Sequence, residues 1–169
     1  MIWRYSHRFE PRARDLADRH YNRQKIGSPQ FVPPGRCMVL YASTPTGEAF
    51  WVTSWPFAQY VRHAWPGAWV CSAFRNEGAG RASVMIAEAV AATRSAMGEP
   101  PDMGMITFIN RAHVRPTMVR GSPVYGWTYR QAGFQECGET KGGLLALQLL
   151  PADMPPAERP LIELEAVSS

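Results

Sequence analysis

Arg75-Asn76-Glu77-Gly78-Ala79-Gly80 stands between Ala68-Trp69-Val70-Cys71-Ser72-Ala73-Phe74 and the alanine-rich run from Ala82 to Met97. The first flank is short, apolar and aromatic, which predicts a strand. In the second, Met85, Ile86, Ala89, Val90, Thr93 and Met97 recur at three- and four-residue spacing, which predicts a helix with one apolar face. Gly98-Glu99-Pro100-Pro101 ends that helix. A glycine turn between strand and helix has a physical consequence. The chain turns tightly while backbone N–H groups point into the turn, and the helix N-terminus adds partial positive charge. A pyrophosphate is the natural guest of such a turn.

Upstream, Arg36 to Ala42 and Glu48 to Ser54 read as two strands joined by the turn Thr44-Pro45-Thr46-Gly47. Glu10 to His20 predicts a helix opened by Pro11, and Tyr21 to Gly35, with Gly27, Pro29, Pro33 and Pro34, predicts a long loop. Trp55 to Gly67 reads as loop with a short helix. Downstream, Met103 to Asn110 reads as a strand apolar on both faces. Ser122 predicts a helix cap, with Pro123 in the first turn and Gly133 at the far end. Phe134 to Cys137 and Leu144 to Leu150 then close the sheet. The expectation is one α+β domain over residues 1–150, with a basic helix and loop at 1–35. Residues 151–169, rich in Pro, Ala and Glu, predict a poorly ordered acidic tail.

A chain of 169 residues, 46% hydrophobic and 19% charged, suits one domain with its own core. No apolar run reaches the length of a membrane helix, and no signal-peptide pattern follows the arginine-rich start, so the expected compartment is the cytoplasm. Cys37, Cys71 and Cys137 are widely spaced with no CxxC pair, which disfavours a zinc ribbon and favours free buried thiols. Charge is unevenly placed. Residues 1–36 hold seven Arg and Lys25 against Glu10, Asp15 and Asp18, a surplus of five. Residues 104–130 hold Arg111, Arg115, Arg120 and Arg130 with no acid. Sixteen of the eighteen basic residues are Arg, whose planar fork suits phosphate, so a polyanionic partner is one reading. A GC-rich genome that writes Arg for Lys is the other.

Strand, Arg-x-x-Gly-x-Gly, helix, and then Tyr129-Arg130-Gln131-Ala132-Gly133-Phe134 together resemble the GNAT superfamily of acyl-CoA-dependent N-acyltransferases. Arg75, Gly78 and Gly80 match that family's phosphate-loop motif. Tyr129, Gly133 and Phe134 match its later motif, in which a tyrosine protonates the departing CoA sulfur. The resemblance covers roughly residues 36–150. It implies a mixed, mostly antiparallel central sheet, splayed near its centre and flanked by helices. It also implies acetyl-CoA or another acyl-CoA as cofactor, held by Arg75, Gly78 and Gly80, with Arg81 beside them offsetting Glu77. Asn76 and Glu77 depart from the motif, and no Glu stands where the family's ordinary general base would be.

His20-Tyr21-Asn22-Arg23 resembles the His-Tyr-(Ser/Asn)-x pattern of the phage Mom-type DNA modification proteins, GNAT-fold proteins that carbamoylmethylate adenine at N6. The chain also looks like small phage or actinobacterial GNAT-like proteins in Phe74 to Gly78, Asn110, Pro123 with Tyr125, Ala132 to Phe134, and Cys137 to Thr140. The resemblance implies His20 and Tyr21 as catalytic residues or iron ligands. Asn76 and Glu77 would then line the active site, Asn holding an adenine edge and Glu accepting a proton or ligating iron. Trp55, Phe57, Tyr60 and Trp65 are either core material or a platform for an extruded base.

Three functions follow as expectations. The leading one is a GNAT-fold transferase modifying adenine in double-stranded DNA, which would protect phage DNA from restriction. In it His20, Tyr21, Tyr129, Glu77 and Asn76 serve the chemistry, and Arg23, Arg111, Arg115 and Arg120 hold nucleic acid. The second is an acetyl-CoA-dependent N-acetyltransferase for a small-molecule or protein amine, with Tyr129 as general acid. The third is a non-catalytic nucleic-acid-binding module. A homodimer is compatible with each.

Overall fold

The computed structural model describes residues 1–6 and 36–161. The predicted helix at 10–20 and loop at 21–35 lie outside them. Seven strands form one sheet: β1 (Arg4–Ser6), β2 (Arg36–Thr44), β3 (Gly47–Trp55), β4 (Trp69–Glu77), β5 (Met105–Ile109), β8 (Gln135–Glu139) and β9 (Leu145–Leu149). Their spatial order is β1-β2-β3-β4-β5-β9-β8. A separate two-stranded ribbon joins β6 (Thr117–Val119) to β7 (Ser122–Val124). Two α-helices, α1 (Ala82–Met97) and α2 (Trp127–Gln131), complete the described chain, with a 3-10 turn at Ala58–Tyr60 and another at Pro151–Asp153. The class is α+β, and the sheet is mostly antiparallel.

The hairpin β2–β3 shows why period-two patterning fixes the layers. Leu40 lies opposite Trp51 and Ala42 opposite Ala49, and all four enter the main core. Val39 opposite Val52 and Tyr41 opposite Phe50 point to the other face and form a second buried cluster. Both faces of this hairpin are therefore covered.

Among the described strands the only parallel pair is β4 with β5, joined by α1, as a parallel pair requires a long crossover. Helix α1 buries Met85, Ile86, Ala89, Val90 and Thr93 against the sheet, each large apolar side chain contributing about 1.5–3 kcal/mol. Thr93 also closes a buried polar chain, its hydroxyl 2.9 Å from that of Thr53, which accepts from Trp51 Nε1 at 2.7 Å. This satisfies groups that would be costly to bury alone.

Three expectations need correction. Strand β4 does not stop at Phe74 but runs through Arg75, Asn76 and Glu77, because these pair with Phe50 and Ala49 of β3 and Glu48 bridges Gly78. The helix predicted from Ser122 begins only at Trp127. Ser122 and Pro123 belong to β7, because Arg120 and Gly121, both at positive φ, turn the chain back on β6. Residues 151–161, placed in the expected loose tail, are packed. Met154 and Pro160 are buried, Arg94 donates to the Pro155 carbonyl at 2.9 Å, and Leu161 N–H donates to the Trp3 carbonyl at 2.8 Å. Residues 162–169 lie outside the described residues.

Candidate active site

The glycine turn is held by side chains rather than left open. Thr46 donates to the Gly78 carbonyl at 2.6 Å, Thr44 to the Ala79 carbonyl at 3.0 Å, and Asn76 Nδ2 to the Gly80 carbonyl at 2.8 Å. Asn76 Oδ1 accepts the Ala79 N–H at 3.0 Å. Three successive carbonyls are thus fixed, and with them the orientation of the peptide planes that follow. Gly47 makes the approach of the β2–β3 turn feasible, since a Cβ there would overlap the Glu77 carbonyl oxygen. Gly78, at φ 83°, lets the chain leave β4.

Glu77 is balanced by Arg75, Nε to Oε2 at 2.7 Å, and not by Arg81 as expected. The two alternate along β4 and so share a face, which brings their side chains together. Arg81 is the exposed N-cap of α1 and lines, with Gly80, Thr44 and Val84, a cleft of about 510 Å³. The Arg81 side chain makes no capping hydrogen bond, and the first turn of α1 contains no acid.

Next to this turn the sheet opens. β4 and β5 pair only over Trp69–Cys71 and Met105–Thr107. The next residue, Ser72, is the extra residue of a β-bulge, since Val52 pairs with Ala73 and Thr53 with Cys71. A bulge bends its strand and ends pairing, so the two strands part here. On the α-helical side of the opening, Tyr129 stands with its hydroxyl 3.6 Å from Cys71 Sγ. Gly126, left-handed at φ 70°, starts the short helix α2 that carries Tyr129, whose ring meets Phe74 and Phe134 edge-on at 6.3 and 5.4 Å. Burial pushes the Cys71 thiol up to about 12, so it stays protonated and is a poor nucleophile.

A pocket of about 360 Å³ at this opening is lined by Val70, Cys71, Ser72, Phe108, Asn110, His113 and Leu144, so Cys71 lies between it and Tyr129. Ser72 Oγ lies 2.9 Å from Ser54 Oγ, and Asn110 Oδ1 accepts the Ala112 N–H at 3.1 Å. Phe108 also packs on His63 and Trp65, with ring centroids 5.2 and 6.1 Å away. His63 Nδ1 accepts the Trp65 N–H at 3.0 Å, and burial holds its imidazole below the usual range. His63 is therefore neutral at pH 7, with its proton on Nε2.

The predicted residues divide as follows. Tyr129 stands at the opening between the strands. Asn76, Glu77, Arg75, Gly78 and Gly80 form the self-bonded turn at the end of β4. Arg111 is paired with Glu139, and Arg130 reaches Glu136 at 3.4 Å and the Tyr125 carbonyl at 2.9 Å. Arg115 and Arg120 are exposed. His20, Tyr21 and Arg23 lie outside the described residues. Among the described residues no group of three His, Cys, Asp or Glu could hold a metal ion. None of the three cysteines is in a disulfide, and Cys71 is buried while the others are half-buried. Of the four aromatics between 55 and 65, Trp55 packs edge-on against Trp69 and donates to the Gly67 carbonyl at 3.1 Å, while Phe57 is 67% exposed.

Ser72, His113 and the two threonines of the hairpin turn were not expected at the site. A bulge leaves no periodicity signal, and a threonine beside a turn reads as turn chemistry until its distant partner is known. No protein-family model, no curated protein and no solved structure matches this chain.

Proposed function

We propose that this chain is a GNAT-type transferase that modifies adenine in double-stranded DNA, in the manner of the Mom-type proteins. The observation that carries the reading is the parting of β4 and β5 at the Ser72 bulge, beside a strand–glycine turn–helix unit. Cys71, which lines the polar and aromatic pocket at this opening, is also the residue that the Tyr129 hydroxyl approaches. An extruded base fits the chemistry of that pocket: Phe108 offers a ring to stack on, and Asn110 an amide able to hold an adenine edge. Adenine N6 would bond to the transferred carbon as that carbon's bond to its carrier breaks, with Tyr129 protonating the departing carrier and its phenolate taking up the proton that N6 releases. The nucleic-acid part of the reading is supported by residues 103–135, which contain no acid and include the exposed Arg115 and Arg120. The described residues do not supply an iron site, so no step is routed through a metal. His20 and Tyr21 remain the proposed source of a further imidazole and phenol.

Nucleoside mass spectrometry of plasmid DNA from cells expressing the chain tests this. A modified deoxyadenosine is expected, and it disappears with His20→Ala. Unmodified DNA from iron-replete cells containing folded protein overturns the reading.

A second reading, an acetyl-CoA-dependent N-acetyltransferase, is favoured by the α1 N-terminus, where the N-cap Arg81 makes no capping bond and the first turn carries no acid. It expects saturable acetyl-CoA binding by calorimetry, abolished by Gly78→Val in protein that keeps its circular dichroism. The occupied Ala79 N–H and the Arg75–Glu77 pair weigh against it.

A further inference from the structure

Between β5 and α2 the chain leaves the main sheet and forms the ribbon β6–β7, which pairs with no other described strand. Its register sets Met118 opposite Pro123, Thr117 opposite Val124 and Val119 opposite Ser122. Residues opposed across an antiparallel pair share a face. Met118 and Pro123 thus make one face, and Val119 and Val124 lie on the other. Val119 and Val124 are half-buried, whereas Met118 is 62% exposed and Pro123 is exposed as well. Met118 and Pro123 thus present an exposed apolar face, while the other face mixes half-buried Val119 and Val124 with exposed Thr117 and Ser122.

Arg120 and Gly121 make the tip, with φ of 51° and 80°. Arg120 is the only non-glycine residue at positive φ among those described, a conformation to which Asn, Asp or Gly is better suited. Arg115, also exposed, stands two residues before β6 and two after the pocket residue His113, within about 7 Å of it along the chain. The surrounding run from 103 to 135 carries no acid. Neither the exposed methionine nor the arginine at the tip is explained by stability of the ribbon.

We infer that β6–β7 is the element that docks on duplex DNA, with Arg115 and Arg120 on phosphates and the Met118–Pro123 face wedged against a base step. The inference rests on the DNA reading above. Grooves of B-DNA admit a two-stranded ribbon, and apolar side chains such as Met and Pro unstack base steps where they enter the minor groove. An enzyme that works on a base must take it out of the stack. A wedge a few residues from the pocket lowers the cost of doing so at the right place.

The experiment uses the full chain and a duplex carrying 2-aminopurine, with binding followed by anisotropy and unstacking by 2-aminopurine fluorescence across a salt series. Wild type binds with steep salt dependence and raises the fluorescence. Arg115→Gln with Arg120→Asn, where Asn keeps the left-handed turn, weakens binding and lowers the log–log salt slope by about 2. Met118→Ser leaves the slope unchanged and abolishes the fluorescence rise. Lys141→Gln with Arg159→Gln removes the same charge from exposed sites outside the ribbon and changes the slope less. Ribbon variants that match wild type, a control that loses as much, or preference for duplex RNA each overturn the inference. So does absence of duplex binding. Plasmid deoxyadenosine in the same cells then decides the parent reading separately: modified DNA with a wild-type level in the ribbon variants sinks only the ribbon.

Discussion

Tyr129 and His63 show how a residue's surroundings set what it can do. Tyr129 reaches Cys71, whose thiol is locked in its protonated form by burial, so the phenol is the group at that spot able to give up a proton. On the proposed function, Tyr129→Phe is expected to slow adenine modification by about 10²–10⁴-fold while leaving duplex affinity unchanged, read from product formed against time. His63 is shifted the other way. Its folded pKa lies below the ordinary 6.5, so the unfolded chain binds the proton more readily. Stability from this residue is complete above pH 6.5 and is lost as pH falls through the lower folded value. Thermal melts between about pH 7 and 5 are expected to show a falling Tm, and His63→Phe flattens that fall.

At the level of elements, the hairpin turn and the end of β4 form one unit. Thr44 and Thr46 are on the hairpin, the carbonyls they hold are on the glycine turn, and Gly47 lets the two backbones meet. Gly47→Ala forces the Glu77 carbonyl away and is expected to cost at least about 1–3 kcal/mol in urea unfolding. Asn76→Asp keeps the acceptor for Ala79 N–H and loses the donor to Gly80, so it is expected to destabilise less than Asn76→Ala. If the alanine variant is as stable as wild type, the clamp is not what holds the turn.

For the whole molecule, the segment after β9 closes the core beside β1. Met154 is buried, Leu161 bridges Arg4, and Glu158 N–H donates to the Ala91 carbonyl of α1 at 3.1 Å. These contacts tie both ends of the described chain to the same helix and edge strand. A chain ending at Leu150 is expected to be less stable than one ending at Leu161 by about 3 kcal/mol or more, measured by urea unfolding, since it removes Met154 from the core and uncovers Trp3 and part of α1.

The strand, glycine turn and helix around residues 68–97, the β2–β3 hairpin and the late strands could be read from the residues alone. These elements are written in local periodicity and turn residues, which act over a few positions. That Arg75 pairs with Glu77, that Asn76 closes its own loop, and that Ser72 bulges out where β4 and β5 part came from the folded chain. Each of these depends on a partner strand whose register no local pattern specifies. Ser122 and Pro123 make the same point from the other side. Their helix-start chemistry is genuine, but Arg120 and Gly121 turn the chain back, and pairing with β6 satisfies its backbone first. The glycine turn was legible as a device; its occupancy by the protein's own side chains was not, because Thr44 and Thr46 arrive from more than thirty residues away.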